Sequence, residues 1–374
     1  MSPRMRRIAI AVAASTLSLS LAGCGMLGAT EEAGKATPTK GDDLTVGLLM
    51  PEETNTRYEQ FDYPIIKSKV AELTNNKGSV QYANANAKNS TQVTQMERMI
   101  DDKVDVILLD AVDAKAIADT VKKAKDAGIP VIAYDRLAQG PIAAYVSFDN
   151  ELVGEVQGRT LVEALGTADL SDKIVMMNGS LTDPNSAQFK QGAMSELSGR
   201  VTIAADFDTK DWSPAEAKAN MTKAIAKMGG AGKVSAVYSA NDAMAGAVIK
   251  ALKAAGLSDD EMPPVTGQDA ELSAVQRIVS GEQYMSVYKP YPQMAAAAAA
   301  MAVAKVRGRD IQFESLTRDK VDSPTDKGIR ANLVTVVALT KSNIKSTVIE
   351  DGIYKVSDIC TAEYKSACNS IGLK

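Results

Sequence analysis

The chain has 374 residues, with 42 Lys and Arg against 46 Asp and Glu and a formal net charge of −4. The two signs are interspersed, so there is no basic stripe for nucleic acid. Histidine is absent, which removes the commonest general base and metal ligand, and with them Ser-His and Cys-His catalysis in their ordinary forms.

Arg4, Arg6 and Arg7 precede an uncharged apolar stretch from Ile8 to Leu21. This is the layout of an export signal, too short for a stable membrane span. The stretch ends Leu21-Ala22-Gly23-Cys24, which resembles the bacterial lipoprotein cleavage box. The expectation is that residues 1–23 are removed and that the Cys24 thiol carries lipid; a plain secretory peptide with an incidental cysteine is the alternative. Residues 24–43 are small, polar and charged and read as a flexible tether. Lipid and tether together would hold a domain at a membrane surface without inserting it.

From residue 44, continuous Val- and Ile-rich runs alternate with helical patterns, as in parallel strands buried on both faces. Strands are expected at 44–50, 79–85, 104–110, 130–135 and 143–149, then at 173–179, 201–207, 234–240, 264–269, 283–289 and 333–339. The helix at 91–102 places Val93, Met96, Met99 and Ile100 on one face. The helix at 115–127 does the same with Ile117, Val121 and Ala124 and stops at Gly128. A third helix, 292–306, contains the alanine run Ala295 to Ala300, which favours close packing. Repeated strand-helix-strand units imply two doubly wound parallel sheets, at about 44–149 and 150–288, with the remainder returning to both. Cys360 and Cys368 lie near the end of the chain. In an exported protein this even pair is expected to close a short structural loop, with two free thiols as the alternative.

Ligands of such sheets bind beyond the C-terminal strand ends. Those ends carry flat polar groups: Asp135-Arg136, Asn241-Asp242, Gln268-Asp269 and Lys289. Neighbouring loops add Arg57-Tyr58, Asp183 and Asn185, and the single tryptophan, Trp212. Sugar hydroxyls donate and accept hydrogen bonds, and charged partners make the stronger ones. The C–H faces of a pyranose pack on aromatic rings. Each residue also has a plainer reading. Asp242 and Asp269 could cap helices, Asp183 could serve the turn with Pro184, and Arg57 or Arg136 could be solvated charges. The case for a site rests on the set being spread over both sheets.

The stretches VTQMERMIDDKVDVILL, GIPVIAYDRL, YVSFDNELVGE, NGSLTDPNSAQFKQGAM, VTGQDAELSAVQRIVSGEQYMSVYKP and VTVVALTKSNIKSTVIEDGIYK carry a resemblance to the type I periplasmic sugar-binding proteins of ABC importers, within the branch of xylose and multiple-monosaccharide receptors. It spans 45 to about 355. The resemblance implies an α/β fold of two doubly wound, Rossmann-like lobes joined by a three-stranded hinge, with crossings near Ser147–Glu151, Ser286–Pro290 and Val321–Gly328. The N-terminal lobe would comprise 44–149 and 289–325, the C-terminal lobe 150–288 and 326–357, and the disulfide-closed tail 358–374. The implied ligand contacts are Arg57, Tyr58, Asp135, Arg136, Asp183, Asn185, Trp212, Asn241, Asp269 and Lys289. Tyr58 stands where tryptophan is more usual, and residues 51–56 follow the family only loosely. The implied function is capture of a monosaccharide by lobe closure and delivery to an ABC permease, by a monomer that needs no cofactor or metal, binds no nucleic acid and makes or breaks no bond. D-xylose is the first choice, then glucose, galactose or arabinose. A sensor that presents the closed form to a chemoreceptor or sensor kinase is the alternative. An exported glycosidase using Asp135 and Asp269 is a distant one.

Overall fold

The computed structural model describes residues 40–53 and 55–374; the expected export signal, Cys24 and the tether up to residue 39 lie outside them. The end of the expected tether is tied to the domain. Lys40 Nζ lies 2.7 Å from Asp105, while Asp42 pairs with Arg307 and accepts a 2.8 Å hydrogen bond from Asn75.

β1 (Thr45–Met50) leads through a π-helical turn, Tyr58–Asp62, into α1 (Tyr63–Leu73). β2 (Ser79–Asn84), α2 (Asn89–Asp101), β3 (Val106–Leu109), α3 (Ala118–Asp126), β4 (Val131–Tyr134) and β5 (Ala144–Phe148) follow. α4 (Asn150–Leu165) opens a second series: β6 (Lys173–Asn178), α5 (Pro184–Leu197), β7 (Thr202–Asp208), α6 (Pro214–Met228), β8 (Ala236–Ser239), α7 (Asp242–Ala254) and α8 (Leu272–Ser280). The chain ends with β9 (Ser286–Tyr288), α9 (Tyr291–Val306), α10 (Asp310–Leu316), β10 (Asp319–Val321), β11 (Ile329–Val334), β12 (Val337–Leu339), α11 (Val356–Ile359) and α12 (Lys365–Ser370).

The larger sheet has the order β10-β11-β5-β4-β3-β1-β2 and is parallel except for the β10–β11 hairpin. Both faces are buried. Val46, Leu48, Leu108 and Ile132 face α1 and α9, while Leu49, Ile107, Val131 and Ala133 face α2 and α3. This explains the unbroken apolar runs, because alternation is lost when both faces need covering. The second sheet is parallel with order β7-β6-β8, and β9 pairs antiparallel with β12.

Two strand expectations need correction. The strand expected at 264–269 forms only isolated bridges, Val237 to Val265 and Gln268 to Val287. Pro264 has no N–H to give, and the Thr266 hydroxyl accepts the Ser239 N–H at 3.0 Å. The run 333–339, read as one strand, is two: β11 pairs with β5 and β12 with β9. The third crossing therefore falls between Val334 and Val337. Val321–Gly328, where it was expected, only turns the β10–β11 hairpin, so residues 326–334 belong with the first sheet rather than the second lobe. Apolar pattern cannot reveal this, because both halves of the run are equally apolar and the change is one of partner.

α4 and α5 pack unusually closely. A Cβ on Gly154 would lie 2.0 Å from Phe189 O, and one on Gly192 would lie 2.0 Å from Glu151 O. This contact seats the start of α5 beside the start of α4, where Asn150 Nδ2 donates to Asn185 Oδ1 at 3.0 Å. The tail helices α11 and α12 pack on α8, and the chain joins Cys360 to Cys368 there with Cα atoms 5.9 Å apart.

Candidate binding site

All the ligand contacts expected from the sequence line one small cavity between the two sheets. From the first sheet come Arg57 and Tyr58, after β1, and Asp135 and Arg136, after β4. From the second come Asp183 and Asn185 at the start of α5, Trp212 in the turn after β7 and Asn241 after β8; Lys289 follows β9, and Asp269 lies beside that strand, its N donating to Val287 O.

Arg57, 3% exposed, is the centre of the charge network. Its Nε donates to Asp62 Oδ2 at 3.1 Å, its Nη2 pairs with Asp135, and its Nη1 lies 3.9 Å from Asp269. The guanidinium sits 4.9 Å from the Tyr58 ring centroid and 5.2 Å from that of Tyr291. Burial opposes the arginine charge, but Asp135 and Asp62 outweigh it and hold the proton more firmly than usual. Burial likewise works against the Asp135 carboxylate; Arg57, Lys289 and Arg136 outweigh it and hold its pKa below the ordinary carboxylate range.

Several contacts cross between the two sides. Arg136 Nε lies 3.0 Å from Asp183, Asn185 Nδ2 donates to Asp135 Oδ1 at 2.8 Å, and Asn55 Nδ2 donates to Asp269 Oδ2 at 3.0 Å. Asp183 makes two contacts, one to its own helix and one to Trp212. Its Oδ1 accepts from Asn185 N at 2.9 Å and caps α5, while its Oδ2 accepts from Trp212 Nε1 at 3.2 Å. Asp242 is not the cap of α7; Asn241 is, accepting from Met244 N at 3.0 Å. Asp242 is buried beneath the site, accepting from Gln283 at 2.7 Å and Ser286 at 2.8 Å. Asp269 caps no helix and pairs with Lys289 at 3.0 Å. Asp135, Trp212 and Asp269 all have positive φ, +59°, +55° and +94°. Such backbone costs about 1–3 kcal/mol per residue and persists where surrounding contacts over-determine it.

Glu52, Asn55, Phe189 and Ala243, which sequence reasoning missed, also line the cavity, as does Gln268, named from the sequence as a strand-end group but not as a ligand contact. Phe189 lies one helical turn beyond Asn185 on α5, a spacing that shares a face, and its ring meets Trp212 edge-on at 6.3 Å. Gln268 adjoins Asp269 at the same strand end. Asn55 and Glu52 sit in a loop without periodicity, and no sequence signal marked them.

The cavity is thus a closed ring of carboxylates, amides and cations with aromatic faces from Tyr58, Phe189 and Trp212. The periplasmic binding protein domain model matches residues 46–310. The chain belongs to the periplasmic binding protein family. Relatives of this periplasmic binding protein include the D-xylose-binding periplasmic protein of Escherichia coli strain K12, 35% identical over 85% of this chain and 93% of that one. The multiple sugar-binding periplasmic protein of Azospirillum brasilense is 32% identical over 91% and 98%. A solved ABC transporter solute-binding protein from Clostridium phytofermentans, with bound β-D-glucose, superposes with a TM-score of 0.77 at 29% identity, over 84% of this chain and 99% of that one.

Proposed function

We propose that this chain binds a monosaccharide, D-xylose first and glucose, galactose or arabinose next, and delivers it to an ABC permease without chemical change. The observation that carries this reading is the convergence of Arg57, Asp135, Asp183, Trp212 and Asp269 on one cavity from two sheets. A sugar touching both sides gains its full contact energy only with the sides together, so it shifts the population toward the closed form that the permease would read. Similarity to the xylose-binding and multiple sugar-binding proteins supports the ligand class. Cys24 is the proposed lipid site holding the protein on the outer membrane face, and the Cys360–Cys368 disulfide is the proposed state of the tail outside the cytoplasm.

The relatives are sugar-binding and solute-binding proteins, which lends the glycosidase alternative no support. A thermal-shift panel of monosaccharides tests the proposal. D-xylose should raise Tm most, and Trp212→Ala or Asp269→Ala should abolish the shift while the variant still unfolds cooperatively. No shift with any monosaccharide, or parent-like shifts in both variants, would overturn it.

A further inference from the structure

Asp269 and Ala270 are consecutive non-glycine residues in left-handed backbone, with φ of +94° and +51°. This strained turn carries the carboxylate that meets Lys289 and Asn55. Contacts around it must hold it, since the chain alone disfavours it. Two come from β9: Asp269 N donates to Val287 O at 2.9 Å, and Ala270 N donates to Ser286 Oγ at 3.0 Å. The third comes from after β12, beyond the matched residues 46–310: the Tyr354 hydroxyl donates to Ala270 O at 3.1 Å.

The Tyr354 ring also reaches the other side of the site. It meets Phe61 edge-on, with centroids 6.1 Å apart, and Phe61 stacks on Tyr291 at 5.6 Å. Phe61 belongs to the π-helical turn Tyr58–Asp62 that directly follows Arg57. The C-terminal segment is itself anchored. Asp351 accepts from the Tyr288 hydroxyl at 2.7 Å, and Asp358 O accepts from Gln276 of α8 at 3.1 Å. One side chain therefore touches the backbone behind Asp269 and the turn behind Arg57.

We propose that Tyr354 is a positioning residue for the binding site: its hydroxyl holds the strained Asp269-Ala270 turn and its ring seats the turn carrying Tyr58, so the C-terminal segment sets ligand affinity without touching ligand. The proposal rests on the reading of Asp269 as a sugar contact.

The test is calorimetry with whichever of D-xylose and D-glucose binds the parent more tightly. Tyr354→Phe keeps the ring and removes the hydroxyl, and should weaken binding about five- to tenfold, as loss of one buried hydrogen bond does. Adding Ala270→Gly should return affinity to within about twofold of the parent, because glycine takes positive φ without strain and no longer needs the clamp. A tyrosine that merely stabilised the fold would not be rescued this way. Parent-like affinity in Tyr354→Phe overturns the proposal, and so does a loss that Ala270→Gly leaves unrepaired. If the parent binds neither, galactose or arabinose takes their place in the test; if it binds no monosaccharide, the functional reading falls, and this inference with it.

Discussion

Gly179→Ala tests the site without removing any hydrogen-bonding group. A Cβ at position 179 would lie 2.1 Å from Trp212 Cη2, 2.3 Å from Cζ2 and 2.5 Å from Ser186 Oγ. Carbon contacts are comfortable at about 3.5–4.0 Å, so the indole must withdraw by about 1.4 Å or more. Gly179 does not have positive φ, so alanine brings no backbone strain of its own. The Trp212 Nε1 bond to Asp183 is already 3.2 Å long and would break. An aromatic face is worth about 0.5–1.5 kcal/mol to the group that packs on it, so sugar affinity should fall up to about tenfold when the indole withdraws. Hydrogen bonds to charged groups contribute about 1.5–3 kcal/mol to stability, so Tm should fall as well. Trp212 is also the chain's one tryptophan, so intrinsic fluorescence reports its surroundings directly. Titration of parent and variant by calorimetry and by tryptophan emission gives both readouts. Affinity equal to that of the parent, with an unchanged emission response to sugar, would refute the assignment of the indole as a ligand platform.

Two further outcomes follow from the buried charges. Arg57→Met keeps bulk but leaves Asp62 without its ion-pair partner and Asp135 with only Lys289 and Arg136, and removing one partner of a buried pair costs about 3–5 kcal/mol. The urea midpoint should fall accordingly and sugar binding should vanish; an unchanged midpoint would show that the network contributes no stability. The Glu271 carboxyl is pushed up to about 8 by burial and by the neighbouring carboxylates of Asp242 and Asp269. The folded protein then holds a proton that the unfolded chain releases. Its contribution to stability is complete below about pH 4.5 and is lost as pH rises toward 8. Glu271→Gln, which keeps the shape of the neutral acid, should raise Tm more at about pH 8 than at about pH 5. Equal shifts at the two values would remove Glu271 from this account.

The α/β class, the positions of most strands and the polar groups at their ends were legible in the sequence. Both signals are local. A strand covered on both faces must read as a continuous apolar run, and a polar residue closing such a run sits where ligands bind. Asp135-Arg136 after VIAY and Gln268-Asp269 after PVTG are readable for that reason. Tertiary structure decided what depends on partners distant in sequence. The run 333–339 is divided between two sheets because β5 and β9 compete for its halves, and neither competitor is visible in the run itself. The double role of Asp183 exists only once Trp212 and Arg136 are brought to it. Asn55 and Glu52 join the cavity through loop geometry that no period encodes. Residue type and local pattern determined which chemistry the chain could offer; which groups meet, and across what gap, was set by packing between segments far apart in the sequence, because only packing fixes those distances.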